Sequence, residues 1–375
     1  MKVCVLSMQR IDNMGSLLQA YALKSMIELY TNNTVEFIDI QRIEEDYNLL
    51  GDFILDFRKE NERTGLIGRL TKIDKYLFNR ISARNREKLQ CELFNLFRDK
   101  YLKLNNQSDN YDFCVIGSDE VFNCLNAGNW GFTSQLFGNV KEAKEVITYA
   151  ASCGATCIED VPENVKLRIR ECFKNVKSFS VRDHNTYEFV SNLSNKVVVE
   201  SFDPVLVYDF SEEIENAKMP IDFNNYCIVY SYRNRIHDKE EIREIITFCH
   251  NNHLRPIAVG APQAWIKDFI VCDPFQCLKL FEKSSFVITD TFHGAIFSFK
   301  YAEKYAIILR DSNRNKLSDL VNKLSIQEHL ISSFSELPSK TGIKKDYDII
   351  KKIIEEERHN TEVYLKENLY LDGKN

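Results

Sequence analysis

Short apolar runs alternate with helical segments along most of this chain, and that alternation constrains the fold more than any other feature. The first half predicts strands at Lys2 to Ser7 (KVCVLS), Val35 to Ile40, Asp112 to Ile116, Glu145 to Ala150, Ser178 to Val181 and Lys196 to Val199. A helix is expected from about Leu17 to Tyr30, where apolar residues recur at helical spacing. After Pro204 the rhythm restarts with strands at Tyr226 to Tyr232, Pro256 to Val259, Ser285 to Thr289 and Tyr305 to Leu309. Helical patterns separate them at Lys239 to His250, Phe275 to Lys283, Phe292 to Tyr301 and Lys316 to Leu324. Strands alternating with helices imply parallel sheets covered on both faces.

At about 150 residues per domain, 375 residues suggest two such units. We place the first at residues 1–205 and the second at 206–330, joined near Asp203 to Pro220. Residues 331–375 form a charged helical tail with no following strand, expected to fold back on the first unit. The stretch Arg58 to Lys103 interrupts the first unit with 13 Lys or Arg against 6 Asp or Glu. Leu66, Leu70, Ile73 and Leu77, then Leu89, Leu93, Leu96 and Phe97, recur there at helical spacing. This basic amphipathic insert reads either as a solvated face packed on its own domain or as a contact for an anionic membrane surface.

Several classes are excluded. The whole chain carries 49 basic and 55 acidic residues, the wrong balance for a nucleic-acid binder. No GxGxxG follows a strand and no Walker loop occurs, which argues against a Rossmann dehydrogenase and a P-loop kinase. The 11 cysteines are odd in number and form no CxxC pair, so reduced, buried thiols are expected and no zinc site or other metal site. The start of the chain lacks a signal-like apolar region, and no run approaches the roughly 18 apolar residues of a membrane span. A soluble cytoplasmic protein is expected, with the insert a candidate for peripheral contact at the inner membrane face.

In parallel sheets, ligands bind beyond the carboxyl ends of the strands. The polar residues there define the candidate site. Asn13, Gly15 and Ser16 follow the first strand, where a turn and a helix start can face an anion or acceptor. Ser118, Asp119 and Glu120 follow DFCVI, and one of the two acids is a candidate general base. Arg182 leaves SFSV and offers a fork of donors to a carboxylate or phosphate, unless it pairs with Asp183. Asp203-Pro204 reads as a strand ending at the junction. His293 and Gly294 open a helix directly after SFVIT, a position suited to acid–base work. Arg310 and Arg314 follow YAIIL and can reach an anion or lie in a solvated loop.

In this order and spacing, NMGSLLQAYAL, YDFCVIGSDEVFN, SFSVRD, SFDPVLV and ITDTFHGAIFS resemble the polysaccharide pyruvyl transferase family over roughly residues 1 to 330. The resemblance implies a glycosyltransferase-B-like pair of doubly wound, Rossmann-like domains around a cleft. It implies transfer of the pyruvyl group of phosphoenolpyruvate onto a pair of sugar hydroxyls, in bacterial cell-surface polysaccharide biosynthesis. The acceptor would be a sugar or a lipid-linked oligosaccharide, with phosphoenolpyruvate as co-substrate and no further cofactor. The first domain would then hold the acceptor and the second the donor. Arg182 is implied to bind phosphoenolpyruvate, and His293 to be catalytic or to contact the donor. Thr291 stands where well-studied members carry an arginine, with Arg310 or Arg314 as substitutes. Two rivals stay open, a nucleotide-sugar glycosyltransferase of the same fold and a non-catalytic glycan-binding subunit. Loss of Arg182 or His293 is expected to abolish turnover without lowering the melting temperature.

Overall fold

A computed structural model describes residues 1–50, 77–105, 110–125, 131–310, 314–343 and 345–370. Six strands form a first sheet in the order β2-β1-β3-β4-β5-β6. They are β1 (Lys2–Leu6), β2 (Thr34–Phe37), β3 (Tyr111–Ile116), β4 (Ala143–Thr148), β5 (Val176–Val181) and β6 (Val198–Glu200). A second six-stranded sheet runs β12-β11-β10-β7-β8-β9. Its strands are β7 (Tyr226–Tyr230), β8 (Arg255–Val259), β9 (Phe269–Ile270), β10 (Phe286–Thr289), β11 (Tyr305–Ile308) and β12 (Leu330–Ile331). Every pairing is parallel. The fold is therefore the expected pair of parallel α/β domains. The two-residue strands β9 and β12 have no counterpart among the predicted ones, because two residues carry no readable periodicity.

The central strands are apolar on both faces, as a doubly covered sheet requires. Val3 to Leu6, Phe113 to Ile116 and Cys227 to Val229 are fully buried. Helix α1 (Met14–Thr31) follows β1 and buries Leu17, Leu18, Leu23, Met26 and Ile27 in a core that continues into the second lobe through Phe275, Leu278 and Phe281. In each sheet the strand order reverses once, between β1 and β3 in the first and between β7 and β10 in the second. Those are the points where a doubly wound sheet opens a crevice at its carboxyl edge.

The part of the basic insert among the described residues is helix α2 (Leu77–Phe97), which packs on its own domain, as one of the two expectations has it, and also reaches the second lobe. Phe94 and Phe97 are buried in the core it shares with α1. Its other side reaches the second lobe. Asn79 donates to the carbonyl of Ala264, Arg86 to that of Phe269, and Gln90 exchanges hydrogen bonds with the backbone of Cys272. The cause is edge strand β9, whose short ladder leaves backbone groups for side chains to satisfy. Leu66, Leu70 and Ile73 lie outside the described residues.

The tail forms helix α3 (Tyr347–Asn368), which crosses back to the first lobe. Tyr364 donates to the carbonyl of Thr148, Thr361 bonds the hydroxyl of Tyr149, and Arg358 donates to the carbonyl of Val207. All 11 cysteines are free, and most are buried. No helix among the described residues is long and apolar enough to cross a membrane.

Candidate active site

The loops after β1, β3, β5, β7 and β10 converge between the lobes. Asn13 caps α1, its side chain accepting from the Gly15 amide at 2.8 Å. Ser16, one turn in, donates to Asp119 Oδ2 at 2.6 Å. Gly15 has a different role from the tight turn expected of it. A β-carbon there would lie 2.2 Å from Cγ and Nδ1 of His293, so the absent side chain is what admits the imidazole.

His293 sits in the first turn of the helix Phe292–Tyr301. Thr291 is the N-cap, its hydroxyl accepting from the Gly294 amide at 3.0 Å. Gly294 is fixed by the same packing, since a β-carbon would fall 2.1 Å from Thr289 Oγ1 and 2.6 Å from Thr291 Oγ1. Its absent side chain thus serves the helix start. The imidazole turns Nε2 toward Asp203 Oδ2 at 3.5 Å, an ion-pair distance.

Asp203 is the centre of the arrangement. It is fully buried, and its Oδ1 caps the short helix Pro204–Val207 by accepting from the Val205 amide at 2.9 Å. Its Oδ2 receives Nη1 of Arg182 at 2.8 Å and the hydroxyl of Ser118 at 3.4 Å. Burial pushes this carboxyl up, but His293 and Arg182 outweigh it and hold the group at about 2. From sequence alone Asp203 reads as a strand end. Its signal was an Asp-Pro pair, the mark of a helix cap, and nothing local reveals that three other segments meet it.

Arg182 leaves β5 with a side chain only 2% exposed, divided between Asp203 and, at 3.4 Å, Asp119. Its guanidinium lies 4.4 Å from the centre of the Phe292 ring. Asp183 does not pair with it. That carboxylate caps the following helix through the Thr186 amide and accepts from Ser152. Nε of Arg182 and Nε2 of His293 are buried without a hydrogen-bond partner, unusual in a settled core.

Asp119 and Glu120 separate in space. Asp119 joins the central network through Ser16 and Arg182. Glu120 bridges the lobes, accepting from Lys316 at 2.6 Å and from Asn123 at 2.9 Å. Burial raises its carboxyl, yet the charge and hydrogen bond of Lys316 bring it down to about 2. Glu120 is thus a pinned anion, poorly placed to take up a proton. Arg310 and Arg314 do not join the centre either. Arg310 is engaged by Glu241 and Asp290, because β11 ends beside them, and Arg314 is exposed at the start of its helix.

Beside this network opens a cleft of about 210 Å³. Asp12, Asn13 and Met14 line it from the first lobe, and Ser231, Tyr232, Arg233, Gly260, Thr291 and His293 from the second. Arg233 is a second residue the sequence reading passed over. Strand β7 ends at Tyr230 rather than at Tyr232, so Ser231 to Arg233 form a strand-end loop at the switch point. Among the described residues, no group of three His, Cys, Asp or Glu side chains is placed to hold a metal ion.

Two parallel α/β lobes thus bring a histidine, a buried carboxylate and an arginine together at their carboxyl edges. The family model for polysaccharide pyruvyl transferase matches residues 13–302, and the chain belongs to that family. No curated protein matches it in sequence. Among solved structures, the chain is similar to UDP-GlcNAc 2-epimerase from Methanocaldococcus jannaschii, with 10% identity, a TM-score of 0.48, and 97% of this chain and 99% of that one covered. UDP-N-acetylglucosamine 2-epimerase from Rickettsia bellii gives 8% identity and a TM-score of 0.47, over 98% and 94% of the two chains. An O-GlcNAc transferase mutant from Thermobaculum terrenum gives 11% and 0.43, over 98% and 66%.

Proposed function

We propose that this chain moves the pyruvyl group of phosphoenolpyruvate onto two hydroxyls of one sugar, as a ketal, during synthesis of a bacterial cell-surface polysaccharide. The observation that carries the reading is the pairing of His293 with buried Asp203 beside a small cleft, within the segment that matches the family. The cleft of about 210 Å³ is smaller than the pockets of roughly 300–1,000 Å³ that enclose drug-sized ligands. That size favours a three-carbon ester over a nucleotide sugar.

The chemistry follows from the placement of the groups. An ionised carboxylate facing Nε2 selects the tautomer with its proton there, which leaves Nδ1 to exchange protons with the substrate. His293, protonated on both ring nitrogens with Nε2 held against Asp203, delivers its Nδ1 proton to the methylene carbon of the enolpyruvate, and positive charge develops on the neighbouring carbon. A sugar hydroxyl attacks that carbon and gives its proton to Asp119. The C–O bond to phosphate breaks, a second hydroxyl closes the ring, and its proton leaves with the phosphate. Positioned acid–base groups of this kind contribute about 10²–10⁴-fold each. Arg182 acts by holding Asp203 and Asp119 in place.

The acceptor is a sugar, free or carried on a lipid. The outward face of α2 exposes Ile81, Leu89 and Leu96 beside Arg84 and Lys88, and this is the surface of the insert open to an anionic membrane. The deciding experiment is phosphate release from phosphoenolpyruvate against a panel of lipid-linked sugars. Release with at least one acceptor, lost in His293→Ala, supports the reading. Transfer from a nucleotide sugar, or no turnover of any donor, refutes it.

A further inference from the structure

We propose that Arg233 binds the phosphate of the donor, and that Glu87 occupies Arg233 until the donor displaces it. This rests on the reading above only in requiring a phosphate-bearing donor. Among the described residues that line the cleft, Arg233 is the only arginine or lysine, and it stands there with Thr291 and His293. Four other cations near the strand ends face acids, Arg235 lying 3.7 Å from Asp290. Arg182 is buried against two aspartates, Arg310 holds Glu241 and Asp290, and Lys316 holds Glu120. A trianionic ester entering this cleft therefore meets the guanidinium of Arg233, whose planar fork suits phosphate oxygens.

That guanidinium already has an anion. Its Nη2 lies 3.1 Å from Oε2 of Glu87, with the two side chains 59% and 23% exposed. Glu87 comes from α2, and the neighbouring Arg86 and Gln90 clamp that helix to the backbone of the second lobe. The carboxylate is thus delivered to the mouth of the cleft by a fixed support. An ion pair this exposed contributes little to stability. A phosphate carries more charge and more acceptor oxygens, so exchanging one anion for the other favours the ligand. Glu87 then acts as a built-in competitor that disfavours weakly charged anions at Arg233 by a few-fold.

A structural role and a competitive one predict different signs. Isothermal titration of the full chain with phosphoenolpyruvate, and separately with UDP-N-acetylglucosamine, distinguishes them. Arg233→Gln is expected to weaken phosphoenolpyruvate binding about 10- to 100-fold, the usual loss of a charge-assisted contact. Glu87→Gln is expected to tighten it about two- to five-fold. Both variants should melt near wild type, since neither side chain is buried. Unchanged affinity in Arg233→Gln overturns the assignment, and weaker binding in Glu87→Gln overturns the competition. The same opposed signs with UDP-N-acetylglucosamine alone would keep the phosphate site and refute the pyruvyl reading. Absence of binding by either probe to the wild-type chain overturns both.

Discussion

The imidazole of His293, from the second lobe, rests in the space where Gly15, from the first, would carry a β-carbon, with its nearest ring atoms 2.2 Å from that point. The two lobes thus meet through a glycine chosen for what it lacks. Gly15→Ala should push the ring off its line to Asp203. Displacing a catalytic group by about 1 Å costs on the order of 100-fold in rate. The buried ring must give way to the added carbon at a cost of about 1–3 kcal/mol, so the melting temperature should fall modestly beside the larger loss of rate. Steady-state turnover beside a thermal melt checks this. Wild-type turnover in Gly15→Ala would mean that the ring position is not what matters.

Arg182 poses a different question, because its charge is enclosed. Removing it leaves Asp203 and Asp119 without their shared cation. Breaking a buried pair in this way typically costs about 3–5 kcal/mol. Arg182→Met should therefore lower the urea midpoint sharply as well as abolish turnover. This differs from the intact fold expected of such a variant on the sequence alone. Adding Asp203→Asn to it should restore part of the loss, since the second change removes the stranded charge. A single variant that unfolds at the wild-type midpoint would show the pair to be energetically idle.

The fold was legible because its signal is periodic and long. Most central strands are short apolar runs followed by a patterned helix, as in Phe286–Thr289 before Phe292–Tyr301. The site was legible in part, because strand ends in a parallel sheet are predictable places. His293, Arg182, Asp119 and Ser16 were found that way, and they do converge. Convergence itself left no local trace. Asp203 looks like a cap because it is one, and its second oxygen faces groups 21 residues back and 90 residues ahead in the chain. Arg233 directly follows even the predicted strand end at Tyr232, so its position was legible, but nothing local shows that its loop lines the cleft. Arg310 and Arg314 failed for the opposite reason. Their position after β11 is right, but the neighbouring acids Glu241 and Asp290 draw Arg310 aside.

Thr291 supplies a third expectation. Its hydroxyl caps the helix that carries His293, so Thr291→Val should cost about 1 kcal/mol and loosen that first turn. Thr291→Ser keeps the capping oxygen and should retain both stability and turnover. Equal melting temperatures for the valine and serine variants would remove the cap from the account.

The acid limb of stability tests the charge network as a whole. Asp203 and Glu120 both titrate near 2 in the folded chain, against ordinary values of 3.8 and 4.5. A carboxyl depressed by folding stabilises fully above its unfolded value and loses that contribution as pH falls through the folded one. Unfolding free energy should hold level down to about pH 5 and then drop by roughly 2–3 kcal/mol per group toward pH 2. Lys316→Met separates the two contributions. Without its cation, burial favours the protonated form of Glu120, so the sign of that contribution reverses. The variant should be most destabilised at neutral pH and approach the wild type on acidification. Urea denaturation of both proteins at pH 7 and pH 3.5 gives the comparison, and a deficit that grows at the lower pH would contradict the ion pair across the lobes.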